Sequence, residues 1–359
     1  MGCASPRDEF IVHGLTVSYF TRKVTGYLDY KGLRWWLRPS VGMNPEARTA
    51  GWPGGIPVVT TPEGELIWDS TAVILHLEQR YPEPAVLPPD PVLRFLAYLF
   101  DDFSDEWLYR HAVGTRWLYE ENTASGSWDI VREASLEVPA PIAAMRRVVS
   151  EAMTASLPRL GTTPANIAAW VGESLLPWQR ALATHVQAHG YLLGGRPSLA
   201  DFALFGGNVA HFVNDPVCRG WMDEEAPAVV DYTHTLMTPR GRPVGDWLEA
   251  SAIPPTLIAL LAETGRHYLP WVARATVDGS APVRFTEAEA DIATTNFLSE
   301  ARGIMLARYV EARSAQLDAV LERAGIRQYF AQHTGQATAV PDPIPPPRPA
   351  DNQPFPAGT

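Results

Sequence analysis

Hydroxyl and carboxyl side chains stand at the predicted starts of two helices in this chain. Ser18 comes just before the helical pattern of Phe20 and Val24, and the pair Asp69 and Ser70 opens a second apolar helix. The start of a helix carries unpaired N–H groups and the positive end of the helix dipole, both of which favour an anion. Ser18 is therefore a candidate for catalysis, and Asp69 with Ser70 is a candidate to hold the carboxylate of a small peptide. The alternative is that these residues only cap their helices, which serine and aspartate do well.

A proline stands at the start of a predicted strand. Pro57 follows Ile56 and precedes the apolar residues Val58 and Val59. Proline cannot donate to a sheet ladder, so it belongs at the first residue or the edge of a strand, and the bond before a proline is readily cis. We therefore predict a cis Ile56–Pro57 bond whose neighbouring backbone groups are free to pair with a peptide-like ligand. The alternative is a structural cis-proline that binds nothing.

The segments around these residues alternate between strand and helix patterns. Strands are predicted over 10–17, 33–37, 57–61 and 65–68, and helices over about 21–31 and 69–80. A loop with at most one helical turn fills 38–55. This order is the thioredoxin-like plan, and 359 residues leave room for a second domain.

Beyond a proline-rich linker at 81–89 the strand patterns disappear. Helices are predicted over 92–119, 141–157 and 163–189, continuing to about 250, and again over 256–269 and 295–324. The stretch 120–140 is expected to be irregular, and the connector between the last two helices to be poor in strands. Ser198 to Asp201 reads as a capping box, which is a folding device. The predicted fold class is α/β plus all-α.

Three segments together resemble the glutathione transferase family. They are Val17 to Val24, Gly55 to Ile74 and Tyr191 to Phe202, in the family's order and at plausible spacing over roughly residues 10–250. The resemblance is to serine-type, bacterial-like members with an added C-terminal subdomain. It implies a thioredoxin-like domain at 10–85, a helical transferase domain at 91–250 and a further, mostly helical subdomain at 251–335. Composition predicts a flexible N-terminus at 1–9 and a disordered, proline-rich tail at 340–359.

The resemblance also implies roles for the residues in the glutathione site. Ser18 would face the glutathione sulfur, and Asp69 and Ser70 would bind the γ-glutamyl end. Ile56 and Pro57 would pair with the cysteinyl backbone.

Further candidates surround this set. Tyr19 and Thr21 are the hydroxyl neighbours that could replace Ser18, and the candidates for the glycine carboxylate are Arg48 and then Arg38 and Lys23. Cysteine-type relatives carry a thiol motif over positions 18–21, which here reads Ser-Tyr-Phe-Thr, so no mixed disulfide with glutathione can form there.

Composition excludes several classes of function. A formal net charge of -11 argues against nucleic-acid binding, and no apolar run is long enough to cross a membrane. The residues from Met1 lack the layout of a signal peptide, and Cys3 and Cys218 form no disulfide framework, so a cytoplasmic location is expected. His185 and His189 have ligand spacing on a helix but lack the following glutamate and a third ligand, so no metal site is predicted.

The function expected from this reading is the attack of a glutathione thiolate on a hydrophobic electrophile by a homodimer. Another low-molecular-weight thiol is possible as the cosubstrate. One alternative is a non-catalytic binding or assembly protein with the same fold, and another is a glutathione-using dehalogenase or isomerase. The aromatic residues of the first helix after the linker either line the electrophile pocket or belong to the core; they are Trp107, Tyr109, Trp117 and Tyr119.

Overall fold

The computed structural model describes residues 9–41, 45–52, 54–134, 141–238 and 245–337. The expected tail at 340–359 lies outside these residues, as does the expected flexible N-terminus except for Glu9. The strands are β1 Phe10–Gly14, β2 Trp35–Pro39, β3 Val58–Thr60, β4 Leu66–Trp68, β5 Ser280–Arg284 and β6 Glu289–Ala293.

Helices make up most of the remaining structure. They are α1 Tyr19–Lys31, α2 Pro45–Thr49, α3 Ser70–Arg80, α4 Pro91–Phe103, α5 Tyr109–Leu118, α6 Glu120–Ala134, α7 Ile142–Ser156, α8 Ile167–Ala169, α9 Leu176–His189, α10 Leu199–Gly207, α11 Pro216–Glu225, α12 Pro227–Met237, α13 Pro255–Arg266, α14 Tyr268–Asp278, α15 Asn296–Ala312, α16 Ala315–Arg323 and α17 Gln328–Ala331. π-helical turns follow α4 (Ser104–Leu108), α8 (Trp170–Leu175) and α10 (Asn208–Phe212). None of the helices in the described residues is long and apolar enough to span a membrane.

The N-terminal part is built on one mixed sheet. Its strand order is β2-β1-β3-β4, with β1 parallel to β2 and the other neighbours antiparallel. Val12, Val59 and Ile67 are buried at its centre, and helices α1 and α3 pack against each other. A sheet of this kind followed by a large helical region confirms the predicted fold class.

Two sequence predictions about secondary structure were wrong. The stretch 120–140 was expected to be irregular, but 120–134 forms α6. Its buried positions hold small or polar residues such as Asn122 and Ser127, so the apolar period that marks a helix is absent. Gly126 is required there because a Cβ would lie 2.7 Å from the Cδ atom of Arg116.

The second error concerns the connector before α15. β5 and β6 form an antiparallel hairpin, with Ala281 opposite Ile292 and Val283 opposite Ala290. These four side chains are buried, whereas the residues between them are more exposed. The alternation is present in the sequence, but each strand is short and Pro282 interrupts the first, which hides the pattern.

The C-terminal residues pack on helix α4. The Phe95 ring of α4 lies 5.9 Å from the Tyr309 ring and 5.3 Å from the Phe330 ring, measured between centroids. Tyr268 donates a hydrogen bond of 2.5 Å to the Asp102 carboxylate. The region from α13 onward is thus packed against the preceding helices, and its boundary at 251 stays a prediction.

Candidate functional site

The strand register brings two of the predicted site segments to one end of the sheet. His13 of β1 pairs with Val58 of β3, and Val58 pairs with Trp68 of β4. The residues that come next at this end of the sheet are Gly14 at the end of β1, Pro57 just before β3 and Asp69 just after β4. The turn that leads to Ser18 leaves from this same end, since β1 ends at Gly14.

Ser18 caps helix α1. Its backbone is extended, and its Oγ accepts a hydrogen bond of 3.3 Å from the backbone N–H of Thr21. The capping interpretation is therefore correct. It does not exclude the chemical one, because a hydroxyl that accepts a bond keeps its own proton to donate. Ser18 is only partly buried, so a ligand can reach it.

Two helices hold the turn that precedes α1. The buried Arg116 guanidinium of α5 donates to the Val17 carbonyl at 2.9 Å and to the Asp215 carboxylate at 2.8 Å. The Glu133 carboxylate of α6 accepts a bond of 2.7 Å from the Thr16 backbone N–H and a second bond from the Thr16 hydroxyl. Sequence reasoning missed both contacts because no local pattern joins residues so far apart in the chain.

The Ile56–Pro57 bond is cis, as predicted. Pro57 is buried and Ile56 is half-buried, and β3 begins at the next residue. Glu83–Pro84 is a second cis bond, in the linker.

Asp69 has an unusual backbone at the start of α3. Its φ of 71° lies in the region that residues with a side chain rarely adopt, and among the described non-glycine residues no other φ is positive. Its carboxylate accepts bonds from the N–H groups of Thr71 at 2.9 Å and Ala72 at 3.1 Å, while Ser70 is buried beside it. Strained backbone of this kind clusters at binding sites, which makes Asp69 a functional candidate as well as a cap.

Carboxyl groups of α4 and the π-helical turn after it lie in the electrostatic surroundings of Asp69. Burial, followed by the Asp102 and Asp69 carboxylates, raises the pKa of Glu106 to about 7. Sequence reasoning missed Glu106, since one glutamate inside a helical pattern carries no signal of its surroundings.

The two hydroxyl neighbours of Ser18 point into the protein. The Tyr19 hydroxyl is buried and donates to the Ser104 carbonyl at 3.0 Å, with the Ser104 hydroxyl at 2.7 Å. Burial raises the pKa of Tyr19 well above its usual range. The Thr21 hydroxyl is also buried, and it has no hydrogen-bond partner among the described residues.

The cationic candidates for a ligand carboxylate differ in their surroundings. Arg48 is exposed on α2, with its guanidinium 5.7 Å from the Trp52 ring centroid, and Arg38 is exposed on β2. Lys23 is fully buried and paired with Asp101 and Asp105. Lys23 therefore does not offer its charge to a ligand carboxylate, and that suggestion was wrong.

Two of the aromatic candidates are buried in the core and two are partly exposed. Trp107 and Trp117 are buried in the core. Tyr109 is partly buried, and its ring lies 5.0 Å from that of Phe20, two residues after Ser18. Tyr119 packs against Trp221 at 5.2 Å.

His185 belongs to the interior of the helical region. Its ring nitrogens lie 2.8 Å from the Thr256 hydroxyl and 2.9 Å from the Leu192 carbonyl. Burial lowers its pKa to about 4. The described residues hold no cluster of histidine, cysteine, aspartate and glutamate side chains able to bind a metal ion. The Ser198 and Asp201 capping box is formed as predicted.

Comparison with known proteins places the segment that contains these residues in a known domain family. Residues 12–85 match the family described as the glutathione S-transferase N-terminal domain. Residues 12–85 therefore form a domain of the glutathione S-transferase N-terminal type. The chain is also similar to the maleylacetoacetate isomerase of Pseudomonas aeruginosa, at 41% identity over 54 residues. That match spans 15% of this chain and 22% of the isomerase's length.

Solved transferase structures resemble this chain at low identity. A glutathione S-transferase from Methylobacterium radiotolerans, in complex with glutathione sulfonate, has 19% identity and a TM-score of 0.40, covering 67% of this chain and 98% of its own. The beta-etherase LigF from Sphingobium sp. strain SYK-6 has 16% identity and a TM-score of 0.46, covering 66% and 96%. FzlA from C. crescentus has 21% identity and a TM-score of 0.41, covering 71% and 92%. Likeness of this degree assigns no activity to the chain.

Proposed function

We propose that this protein binds glutathione, or a related low-molecular-weight thiol, and activates its sulfur for attack on a hydrophobic electrophile. The observation that carries the proposal is that Pro57 and the strained Asp69 directly adjoin β3 and β4 at the end of the sheet where β1 leads to Ser18. Along the chain, Ser18 comes four residues after the end of β1 and Ser70 directly follows Asp69. The match of residues 12–85 to the family's N-terminal domain supports it. A cytoplasmic homodimer is part of the proposal.

The chemistry assigned to Ser18 is stabilisation of a thiolate. A free thiol has a pKa of about 8.5 and is mostly protonated at neutral pH, whereas the thiolate is the nucleophile. A hydrogen bond from the Ser18 hydroxyl and the positive end of α1 both favour the charged sulfur. The enzyme would then gain rate by holding this thiolate close to the electrophile.

The electrophile side of the proposed site is aromatic. The Phe20 and Tyr109 rings form a tilted pair with their centroids 5.0 Å apart, and both residues are partly exposed. Phe20 lies two residues after Ser18 in the chain, and Tyr109 is brought near by its contact with Phe20. Tyr19 packs behind them at 5.7 Å from the Tyr109 ring. An apolar electrophile is therefore expected to contact Phe20 and Tyr109, whereas Trp107 and Trp117 are buried in the core.

The rest of the ligand is assigned to residues before β3, at the start of α3 and on α2. Ile56 and Pro57 would pair with the cysteinyl backbone, and Asp69 and Ser70 would bind the γ-glutamyl ammonium and carboxylate. Arg48 is proposed for the glycine carboxylate because its guanidinium is exposed.

Replacing Asp69 by alanine is expected to weaken glutathione binding roughly three- to tenfold, since one exposed charge contact is lost. The apparent pKa of the bound thiol should stay largely unchanged. Asp90→Ala is the matched control, because Asp90 caps α4 through the same kind of bonds, at 2.8 Å to Val92 and 3.1 Å to Leu93. Calorimetric titration of both variants with glutathione tests this. Equal affinities in the two would show that Asp69 is a cap alone.

The affinity for a ligand with an ammonium group is expected to rise between pH 6 and pH 8. The pKa of Glu106 is about 7, raised by burial, Asp102 and Asp69 and opposed by Arg110 and Lys23. Above that pH the charged carboxylate adds to the attraction for the ammonium, by roughly threefold or more in affinity. Titration with S-methylglutathione, whose sulfur cannot ionise, isolates this effect. Glu106→Gln should bind with the same affinity at both pH values, and a variant that keeps the rise would contradict the assignment.

A second candidate function is isomerisation assisted by glutathione. It is favoured by the similarity to a maleylacetoacetate isomerase over 54 residues. It uses the same thiol site and differs in the substrate that the thiolate attacks. A protein that binds no thiol at millimolar concentration would instead be a binding or assembly protein with this fold.

A further inference from the structure

A buried ion cluster lies beneath the proposed site. The Lys23 ammonium is fully buried and lies 2.7 Å from an Asp101 oxygen and 2.5 Å from an Asp105 oxygen. It also donates to the Thr71 hydroxyl at 2.7 Å, and that hydroxyl donates to Asp101 at 2.9 Å. We call these four residues the Lys23 cluster.

The Lys23 cluster joins the two helix starts that the ligand would span. Lys23 lies on α1, in the second turn after Ser18, and Thr71 directly follows Ser70 on α3. Asp101 and Asp105 belong to α4 and the π-helical turn after it. The Lys23 ammonium thus connects α1, which begins after Ser18, to α3, which begins at Ser70, and connects both to the helical region through Asp101 and Asp105.

The Lys23 cluster is expected to fix the positions of the helices it joins more than to increase the free energy of unfolding. A buried ion pair repays its desolvation only when its geometry is good, so its net contribution to stability is small. Removing one partner is costly because the remaining charge stays buried. The Lys23 ammonium donates hydrogen bonds to Thr71 and Asp105 and forms an ion pair with Asp101, so one side chain is held by contacts with α3, α4 and the π-helical turn after α4. The cluster therefore permits little variation in the distance between α1 and α3.

We infer that Lys23 and Thr71 are positioning residues, which set the separation between the starts of α1 and α3 so that one thiol peptide reaches both. Neither residue touches the ligand. The inference rests on the proposed function, because it needs a ligand that bridges Ser18 and Ser70. It goes beyond that proposal because it states that the Lys23 cluster, which does not contact the ligand, sets the distance between Ser18 and Ser70.

The test replaces Thr71 by valine, which keeps the side-chain shape and the backbone N–H that Asp69 accepts from. The expected result is a dissociation constant for glutathione raised roughly three- to tenfold, the equivalent of one lost hydrogen bond. Thr71→Ser restores the hydroxyl and should bind within about twofold of the unmutated protein on the same scale. Thr71→Ala, which removes the same hydroxyl, is the second variant and should weaken binding as valine does.

Tyr27→Phe is the matched control for loosened packing. The Tyr27 hydroxyl donates to Glu78 at 2.9 Å and joins the same two helices, α1 and α3, away from their starts. Calorimetry with glutathione and a melting curve are recorded for every variant. Weaker binding in Thr71→Val with unchanged binding in Tyr27→Phe supports the inference.

Two other outcomes are decisive. If Thr71→Val and Thr71→Ala bind glutathione as tightly as the unmutated protein, or if Tyr27→Phe weakens binding equally, the positioning role is overturned and the proposed function stands. If the unmutated protein binds no glutathione, the proposed function fails and the positioning role fails with it.

Discussion

Replacing Asp215 by asparagine is expected to lower the free energy of unfolding by about 3–5 kcal/mol, because it leaves the buried Arg116 charge without its counterion. Arg116 reaches Asp215 at 2.8 Å, and both side chains are almost completely buried. Although burial opposes it, the Arg116 guanidinium holds the pKa of Asp215 below its usual value, so the carboxylate is charged at neutral pH. Urea unfolding of the two proteins measures the difference.

Asp223→Asn is the control for this experiment. Asp223 forms a bond of 2.8 Å with Arg219 on α11, and both side chains are exposed. An exposed pair contributes about 0–1 kcal/mol, so this variant should unfold nearly as the unmutated protein does. Similar losses in Asp215→Asn and Asp223→Asn would contradict the description of Arg116 and Asp215 as a buried structural pair.

The loss of the Ser18 hydroxyl is expected to slow thiol transfer roughly ten- to 150-fold, because a hydrogen bond to a charged sulfur contributes about 1.5–3 kcal/mol. The apparent pKa of the bound thiol should rise by about one to two units for the same reason. Glutathione affinity should change little, since Pro57, Asp69 and Ser70 are proposed to hold the rest of the ligand. Initial rates of Ser18→Ala with glutathione and an aryl halide test the expectation.

Ser314→Ala separates catalysis from capping. Ser314 caps α16 by accepting from the Leu317 N–H at 3.1 Å, as Ser18 does on α1. Both variants lose a cap, which costs about 1 kcal/mol of stability, but only Ser18→Ala should lose rate. A Ser18→Ala protein with full rate and an unchanged thiol pKa would leave Ser18 as a cap. Thr21 would be the next residue to test, because the Tyr19 hydroxyl is already hydrogen-bonded to Ser104.

The features that the sequence predicts well are those specified by neighbouring residues. Ser18 and Asp69 precede their helices as caps, Gly32 ends α1 with a left-handed φ of 70°, and Pro57 follows a cis bond. The Ser198 capping box is equally local. Each of these depends on the chemistry of a few consecutive residues, so a short window of sequence contains all the information.

The features that the sequence did not predict depend on residues far apart in the chain. Lys23 looks like a surface cation until the π-helical turn after α4 brings in Asp105, which is 82 positions away. Helix α6 was missed because its buried side is satisfied by polar contacts. Asn122 donates to the Thr115 carbonyl at 3.1 Å and accepts from the Val217 N–H at 2.8 Å. Hydrophobic periodicity cannot detect a helix that packs in this way.

The central claim is that the start of α1, with Ser18, holds a glutathione thiolate. The most direct measurement is titration of the unmutated protein with glutathione at neutral pH, recording heat and the ultraviolet absorbance of the thiolate together. We expect saturable binding at millimolar concentration or below, accompanied by ionisation of the bound thiol that Ser18→Ala reduces. An absence of saturable binding, or binding with the sulfur still protonated, would contradict the claim.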